Sequence, residues 1–342
     1  MTLAGNPSSP AVSGPPPADS RFPKVPSWAR RILGLSLRLG VTGLVTWFIL
    51  KAVGLSLGEL RAFDLATLEL RWGLLFLSSG ALLVGYLYSA GLWGLMVREL
   101  GGPVVPTLAA LRIFFTANLG RYLPGKVWQL AGLAYLARGE GVTAPTATAA
   151  ALLGQLFSLA GATLVGLGVL LKSDWGGAIG GGWTVGAGVA LIGVLTLPAI
   201  LRPLLKKLVG RAKGSVPGPI WPDRAFGVRW LGLYALSWVF QGGAFWLLVR
   251  GLGMELDPVL GVAIFPAAYL LGYVAIFAPA GIGVREGALI FFLNPMLGAG
   301  GAVVAVVARL WTTVVELLPA LLLAGGYMKA SKTNQEEGGA GG

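Results

Sequence analysis

The stretch that decides the fold is Asn118-Leu-Gly-Arg-Tyr-Leu-Pro-Gly-Lys-Val-Trp-Gln129, a polar segment within strongly hydrophobic sequence. Its glycines and proline interrupt a helix, because glycine permits unusual backbone dihedrals and proline lacks the N–H that a helix needs. The segment also brings two cations, Arg121 and Lys126, to the same place. Such a segment is costly inside lipid. The fold must therefore bury it within protein or expose it to water.

The composition is that of a polytopic membrane protein. Of the 342 residues, 55% are hydrophobic and 12% are charged, and the mean hydropathy is +0.76, far above the range of soluble globular proteins. The chain contains no cysteine and no histidine, which excludes disulfides, thiolate or imidazole metal sites and Ser-His triads. No cofactor is expected. The net charge of +12 is assigned to the cytoplasmic lipid surface and not to nucleic acid binding.

Six apolar segments are long enough to cross the hydrocarbon core, which takes about 20 helical residues. They lie at 38–57, 72–96, 145–171, 183–201, 229–249 and 302–326. Two more apolar regions, 107–137 and 258–298, are each interrupted by a Gly/Pro-rich polar segment. Each is expected to form two short helical arms around a break, although simple hydropathy would count about eight spans in all.

The loops orient these spans, because Lys and Arg in short loops remain in the cytoplasm. Residues 202–229 contain seven Lys or Arg and one acid, which places this loop in the cytoplasm. Four cations that precede or begin the first span should hold the N-terminus there, and the C-terminus is expected on the same side: Lys24, Arg30, Arg31 and Arg38. The balanced loops 58–71 and 172–182 and the slightly acidic loop 250–257 are expected outside. The charges of all these loops fit a single topology only if region 107–137 enters the membrane from the cytoplasm and returns to it. Region 258–298 must then enter from the outside and return there.

The predicted fold is therefore an all-α membrane bundle of six full spans and two re-entrant hairpins, arranged as an inverted repeat. The repeat halves are residues 30–171 and 183–326, within a membrane domain at 29–328. Disordered cytoplasmic tails are expected at 1–28, which is rich in proline, and at 329–342. Corresponding breaks in two inverted halves indicate a transporter site near the bilayer midplane.

The charged residues at the breaks are candidates for that site. Arg121 and Lys126 either hold a phosphate, as the N-termini of helices do, or belong to a cytoplasmic loop that touches lipid head groups. Arg285 and Glu286, at the second break, either pair with each other, pair with the first break, or lie in an exposed outer turn.

Glu316 lies inside the last predicted span, with Arg309 seven residues earlier on the same helical face. Because ionisable residues at membrane depth are functional hypotheses by default, Glu316 is either a proton site or a structural partner for Arg309, Arg285 or Arg112. Three uncharged residues either line a cavity or hydrogen-bond neighbouring helices: Asn118, Gln155 and Gln241.

The two breaks resemble those of the transmembrane region of lysylphosphatidylglycerol synthase and its stand-alone, flippase-like relatives. The family typically carries an Asn, a Tyr-Leu-Pro-Gly-Lys run and a downstream Arg, which correspond here to Asn118, residues 122–126 and Arg138. A later Pro, Gly-rich turn and Glu correspond to Pro279, Gly281, Gly283 and Glu286. The resemblance covers roughly residues 30–328. Many relatives carry a Glu-Arg pair where this chain has Gly154-Gln155, and no soluble aminoacyl-transferase domain is expected.

The resemblance implies a flippase-like transporter of the cell membrane, not an enzyme, that moves an anionic phospholipid or a polyprenyl-phosphate-linked lipid through a basic cavity. The substrate-binding residues indicated are Asn118, Arg121, Tyr122, Lys126, Arg138, Arg285 and Glu286, with Arg309 and Glu316 as a proton or ion-pair site. Two alternatives remain open, a membrane-embedded lipid-modifying enzyme and a non-catalytic accessory subunit. The expected partners are membrane lipids with anionic head groups, together with either a second copy of the chain or a separate lipid-modifying enzyme.

Overall fold

The computed structural model is all-helical over the residues that it describes, which are 68–122, 127–169, 224–274, 281, 283–339 and single positions between 188 and 203. All of them belong to one compact unit, Val45–Gly342, and the other unit, Met1–Leu44, lies outside the described residues. The predicted span 38–57 also lies outside them, as does span 183–201 apart from single positions.

Eight α-helices have described bounds. They are α1 Trp72–Glu99, α2 Thr107–Asn118, α3 Val127–Ala137, α4 Ala144–Gly166, α5 Arg224–Gly251, α6 Pro258–Val274, α7 Val284–Leu297 and α8 Gly300–Gly339. Four are long and apolar enough to cross a membrane: α1, α4, α5 and the Gly300–Leu323 portion of α8. These four coincide with four of the six predicted spans, because a long run of apolar side chains is itself the signal for a spanning helix.

Each interrupted region forms two shorter helices around a break. In the first broken unit, α2 has 12 residues and α3 has 11, and a 3-10 helix at Leu119–Tyr122 follows α2. In the second broken unit, α6 has 17 residues and α7 has 14, and Gly281 and Gly283 adopt φ values of +70° and +84°. Only glycine adopts such values without strain, which explains why the second break is rich in glycine.

The two broken units start at opposite ends of a central pair of antiparallel helices, α1 and α5. At one end, the Arg71 N–H donates to the Gly251 carbonyl at 2.8 Å. At the other end, the Glu99 carboxylate accepts from Arg229 and, at 2.9 Å, from Trp230 Nε1. The first broken unit follows α1 at the Glu99 end, whereas the second follows α5 at the Gly251 end.

Small residues let the long helices pack closely. A Cβ atom added to Gly161 of α4 would lie 2.8 Å from the Ala235 nitrogen of α5, so α4 and α5 touch backbone to backbone at this point. Across the same interface, Trp238 Nε1 donates to the Ser158 carbonyl at 2.7 Å. Close approach through glycine is the usual way in which membrane helices gain packing energy without a hydrophobic driving force.

The helix α8 continues past the predicted span 302–326. The backbone of α8 is helical as far as Gly339, although residues 329–342 are predicted to form a disordered tail. Residues 329–337 include two lysines, an alanine, a glutamine and two glutamates, all of which favour helix. A helix that has already begun in the membrane segment extends through such residues at little further cost, because the nucleation step is complete.

Candidate functional site

A cavity of about 220 Å³ lies between the two broken units, and all eight helices contribute to its wall. The wall carries an unusual number of polar and charged side chains for a chain this apolar. Those that matter for the site are Asn118, Arg121, Gln129, Gln155, Gln241, Arg285, Arg309 and Glu316. The breaks and the last span therefore converge on one polar space inside the bundle.

Arg121, in the 3-10 helix of the first break, forms an ion pair with Glu316 of α8. The Arg121 Nη1 atom lies 3.2 Å from Glu316 Oε1 and donates to Oε2 at 3.3 Å. The Glu316 side chain is 4% exposed and that of Arg121 is 26% exposed. The three partners considered for Glu316 from the sequence did not include Arg121, because a pairing over this separation depends on how the bundle folds.

Arg309 of α8 forms a second ion pair, with Glu286 at the start of α7. Arg309 Nη1 lies 3.5 Å from Glu286 Oε1, and both side chains are buried. The other carboxylate oxygen of Glu286 accepts the Gly283 N–H at 2.6 Å, which caps the N-terminus of α7. Glu286 thus pairs with Arg309 and not with the adjacent Arg285, because its own helix directs the carboxylate back over the first turn.

Arg285 lies against aromatic rings. Its guanidinium carbon is 4.6 Å from the centroid of Phe265 and 5.8 Å from that of Tyr269, within the range of a cation–π interaction. Among the described residues, no carboxylate pairs with it. Three arginines and one glutamate line the cavity, and Glu286 pairs with one of these arginines, so this described set of five carries one positive charge in excess.

Some of the uncharged polar side chains of the cavity are hydrogen-bonded to one another or to neighbours, and one carries a buried donor without a partner among the described residues. Asn118 is 2% exposed, and its Oδ1 accepts from Gln129 Nε2 at 2.6 Å, which ties the end of α2 to α3 across the break. Gln241 Nε2 donates to Ser237 Oγ at 3.2 Å. By contrast, Gln155 Nε2 is buried and has no hydrogen-bond partner among the described residues.

Sequence reasoning did not identify the aromatic part of the site. Phe265, Tyr269 and Trp93 line the cavity, and the Trp93 Nε1 atom is buried with no partner in the described part of the chain. Aromatic residues on apolar helices usually face lipid or neighbouring helices, so their sequence positions carried no signal of a cavity.

Three predicted site residues are not among those that the structure brings together at the cavity. Arg138 is exposed in the 3-10 helix Arg138–Glu140 and does not line the cavity. Tyr122 is the last residue of the 3-10 helix at the first break, but its side chain lies outside the described residues, as does the whole of Lys126.

The Gly154-Gln155 pair forms part of the α4 wall of the cavity. A Cβ atom added to Gly154 would lie 2.5 Å from the Tyr234 hydroxyl oxygen, so the missing side chain makes room for this tyrosine. The described residues hold no group of three or more His, Cys, Asp or Glu that could bind a metal ion. The excess positive charge of the described cluster is the feature that bears on the binding of an anion.

Residues 35–320 match the family model described as the lysylphosphatidylglycerol synthase TM region. The matched range contains both broken units and every residue named above as lining the cavity. No curated protein and no solved structure matches the chain significantly.

Proposed function

The chain belongs to the family of the lysylphosphatidylglycerol synthase transmembrane region, and from this membership and the cavity we propose that it is a flippase-like transporter of an anionic lipid. Its family and its four apolar helices make it a multi-pass membrane protein with a lipid-related role. The proposed substrate is a phospholipid or a polyprenyl-phosphate-linked lipid, whose phosphate-bearing head group crosses the cell membrane through the cavity.

The proposed topology is an inverted repeat in which the two broken units are re-entrant hairpins. It is supported by their starting points at opposite ends of the α1–α5 pair. The arms are also short, because helices of 11 to 17 residues reach only about 17–26 Å at 1.5 Å per residue, less than the hydrocarbon thickness of about 30 Å.

The positions of the two breaks on α8 further support this topology. The first break contacts α8 at Glu316 and the second contacts it at Arg309. Seven helical residues correspond to about 10 Å, so the two breaks meet α8 about 10 Å apart along its axis. In a transporter with inverted repeats, this is where the substrate site is expected.

The single observation that carries the proposal is Arg285. It is a cation on the cavity wall, held by Phe265 and Tyr269, with no carboxylate partner among the described residues. An uncompensated charge at membrane depth is expensive and is retained where it serves a function. A phosphate that enters the cavity would supply the missing negative charge, and guanidinium groups bind phosphate through paired hydrogen bonds.

Reconstitution into liposomes tests the proposal. Acyl-labelled phosphatidylglycerol and a labelled polyprenyl-phosphate lipid are incorporated separately, and the fraction that an external reductant bleaches is followed with time. We expect protein-dependent transfer of at least one of these lipids. Arg285→Gln should slow it about tenfold or more, which corresponds to the loss of one charge-assisted contact.

Arg98→Gln is the matched control, because Arg98 is an exposed arginine near the end of α1 and does not line the cavity. It should transfer lipid at the rate of the unmodified protein. Equal lipid transfer in liposomes with and without protein, for both lipid classes, would contradict the proposal. Chromatography of the recovered lipids would reveal a modified product if the protein were instead an enzyme.

A further inference from the structure

We infer that the cavity binds its lipid through an uncharged, hydroxyl-bearing head group, whose hydroxyls contact Gln155 and Trp93 while its phosphate contacts Arg285. The head group is a polyol, either glycerol or a sugar. The inference rests on the proposed lipid transport and narrows its substrate to one class of head group. Two hydrogen-bond donors on the cavity wall, which the proposed function leaves unused, point to this chemistry.

The two donors are the side-chain amide nitrogen of Gln155 and the indole nitrogen of Trp93. Both residues line the cavity, and both nitrogens are buried without a hydrogen-bond partner among the described residues. Trp93 as a whole is only 3% exposed. Because a buried donor without an acceptor has lost its hydration and gained nothing in return, folded proteins contain few of them. An oxygen atom of a ligand in the cavity would supply the missing acceptor.

Gln155 can turn its amide toward the cavity without movement of the backbone. The residue is partly exposed, and it follows Gly154, which also lines the cavity. The terminal torsion of a glutamine side chain has only broad preferences, so the amide rotates at little cost. The ring of Trp93 is rigid, so its N–H fixes the place of one acceptor, whereas Gln155 adapts to the other.

A continuous stretch of the cavity wall joins these donors to the cation Arg285. The ring of Tyr269 lies 5.8 Å from the guanidinium carbon of Arg285 and 4.6 Å from the ring of Trp238. Trp238 Nε1 donates to the Ser158 carbonyl at 2.7 Å, and Ser158 follows Gln155 by three residues on the same face of α4. All five residues line the cavity. A head group whose phosphate lies at Arg285 therefore extends along this wall toward Gln155.

The polar groups of the wall favour an uncharged head group over one that carries an amine. An indole N–H and an amide nitrogen only donate hydrogen bonds, so they cannot bind an ammonium group, which also only donates. Among the described residues that line the cavity, the carboxylate is that of Glu316, and it already pairs with Arg121. An ammonium group would thus meet donors and an excess of positive charge. A hydroxyl, by contrast, accepts from an N–H and keeps its own hydrogen to donate.

The size and the aromatic surface of the cavity also suit a small polyol. Its volume of about 220 Å³ is below the roughly 300–1,000 Å³ of pockets for drug-sized ligands, so it accommodates a head group and leaves the acyl chains outside. The rings of Tyr269 and Tyr273 stack with their centroids 6.3 Å apart, and both line the cavity. The carbon atoms of glycerol or of a sugar ring can pack on such apolar faces while their hydroxyls turn to the polar groups.

Matched lipids in proteoliposomes provide the test. Phosphatidylglycerol and phosphatidylpropanol carry the same charge and the same three-carbon head group, and they differ only in the hydroxyls. Each is supplied with an acyl label in trace amounts, so that the rates at which an external reductant bleaches them reflect differences in recognition. We expect phosphatidylglycerol to be transferred about tenfold faster or more, which corresponds to one or two hydrogen bonds.

Two more labelled lipids complete the comparison. Phosphatidylhexose carries a sugar in place of glycerol, and its rate relative to phosphatidylglycerol distinguishes the two kinds of polyol. Phosphatidylethanolamine carries an ammonium group and should be transferred about as slowly as phosphatidylpropanol, or more slowly. These measurements use the unmodified protein and therefore do not depend on whether a variant folds.

Gln155→Met removes the amide and keeps the length of the side chain. It should slow the transfer of phosphatidylglycerol about threefold to tenfold and leave that of phosphatidylpropanol unchanged. Both rates come from one preparation, so a loss of folded protein lowers them together and keeps their ratio. Trp93→Phe removes the indole N–H and should shift the ratio in the same direction.

Trp246→Phe is the matched control for Trp93→Phe, because it also removes an indole N–H. Trp246 Nε1 donates to the Leu256 carbonyl at 3.0 Å, and Trp246 does not line the cavity. This variant should keep the ratio of the two rates found for the unmodified protein.

The outcomes separate this inference from the proposed function. Equal transfer of the two polyol lipids and phosphatidylpropanol overturns polyol recognition and leaves lipid transport standing, and so does transfer of phosphatidylethanolamine as fast as that of phosphatidylglycerol. A preference for polyol lipids that persists undiminished in folded Gln155→Met and Trp93→Phe proteins also overturns it. Absence of transfer for every lipid contradicts the proposed function and this inference with it.

Discussion

The carboxylate of Glu316 lies 3.2 Å from the guanidinium of Arg121, a residue 195 positions earlier in the chain. The contact joins the break in the first unit to the last long helix, so it links the two halves of the chain inside the membrane region. Both residues line the cavity, and the Glu316 side chain is almost fully buried whereas that of Arg121 is partly exposed, so the pair connects the interior of the bundle with the cavity.

Removal of Arg121 should destabilise the protein more than removal of the whole pair. Arg121→Gln takes away the cation near a buried carboxylate, which we expect to lower the free energy of unfolding by about 1–3 kcal/mol. The double variant Arg121→Gln with Glu316→Gln should recover part of that loss, because neither position of the pair then carries a charge. Thermal unfolding in detergent measures both values.

Arg98→Gln provides the reference for that comparison and should change stability by less than about 0.5 kcal/mol. If the double variant is as unstable as the sum of the two single variants, the two side chains do not interact energetically.

Arg285→Lys should reduce lipid transfer to a level between those of the unmodified protein and Arg285→Gln. Lysine keeps the positive charge but lacks the planar guanidinium that stacks on Phe265 and binds phosphate with two parallel hydrogen bonds. The rate of label bleaching in proteoliposomes gives the order of the three proteins. Arg98→Lys, at an exposed position, should have no effect, and full activity of Arg285→Lys would show that charge alone is sufficient.

Gly242→Ala should strongly destabilise the protein, whereas Gly243→Ala should not. A Cβ atom at Gly242 would collide with the Val262 carbonyl and would lie 2.9 Å from its Cα, whereas one at Gly243 meets nothing within 4 Å. We expect a loss of about 1–3 kcal/mol for Gly242→Ala from overpacking. Gly243→Ala should gain up to about 1 kcal/mol from helix propensity.

These two neighbouring glycines make a matched pair, because both lie in the middle of α5 and the two substitutions add the same methyl group. Thermal unfolding of the purified variants compares them directly. Similar stabilities would mean that α5 and α6 do not pack at Val262 as closely as the structure places them.

Single cysteines should report opposite membrane sides for the two broken units. The natural chain has no cysteine, so Glu140→Cys and Glu255→Cys each introduce one reactive group. Both positions are exposed, the first just after α3 and the second just before α6. A membrane-impermeant maleimide applied to right-side-out vesicles should label Glu255→Cys alone, because residues 250–257 are predicted to lie outside.

Disruption of the vesicles should then make Glu140→Cys reactive as well, which controls for accessibility of the thiol. Labelling of both positions from the same side would contradict the proposal that the two hairpins enter from opposite faces of the membrane.

The sequence was most informative about helices and breaks, because these follow from the local composition of each segment. The long apolar runs predicted the four described spanning helices, and the Gly/Pro-rich interruptions predicted that residues 107–137 and 258–298 would each form two arms. The sequence was less informative about contacts between residues that are common in any membrane helix. Phe265 and Tyr269 were missed, since an aromatic side chain beneath a cation has the same sequence pattern as one that faces lipid.

Sequence alone therefore determined the membrane class, the family, the breaks and the ionisable residues that had to be explained. Tertiary structure decided which charges meet: Arg121 with Glu316 and Glu286 with Arg309, while Arg285 lies on aromatic rings and Arg138 stays outside the cavity. The physical reason is the range of the interactions. Hydrophobic burial is summed along each helix and can be read from the chain, whereas an ion pair depends on separations of a few ångströms that arise only when the helices pack.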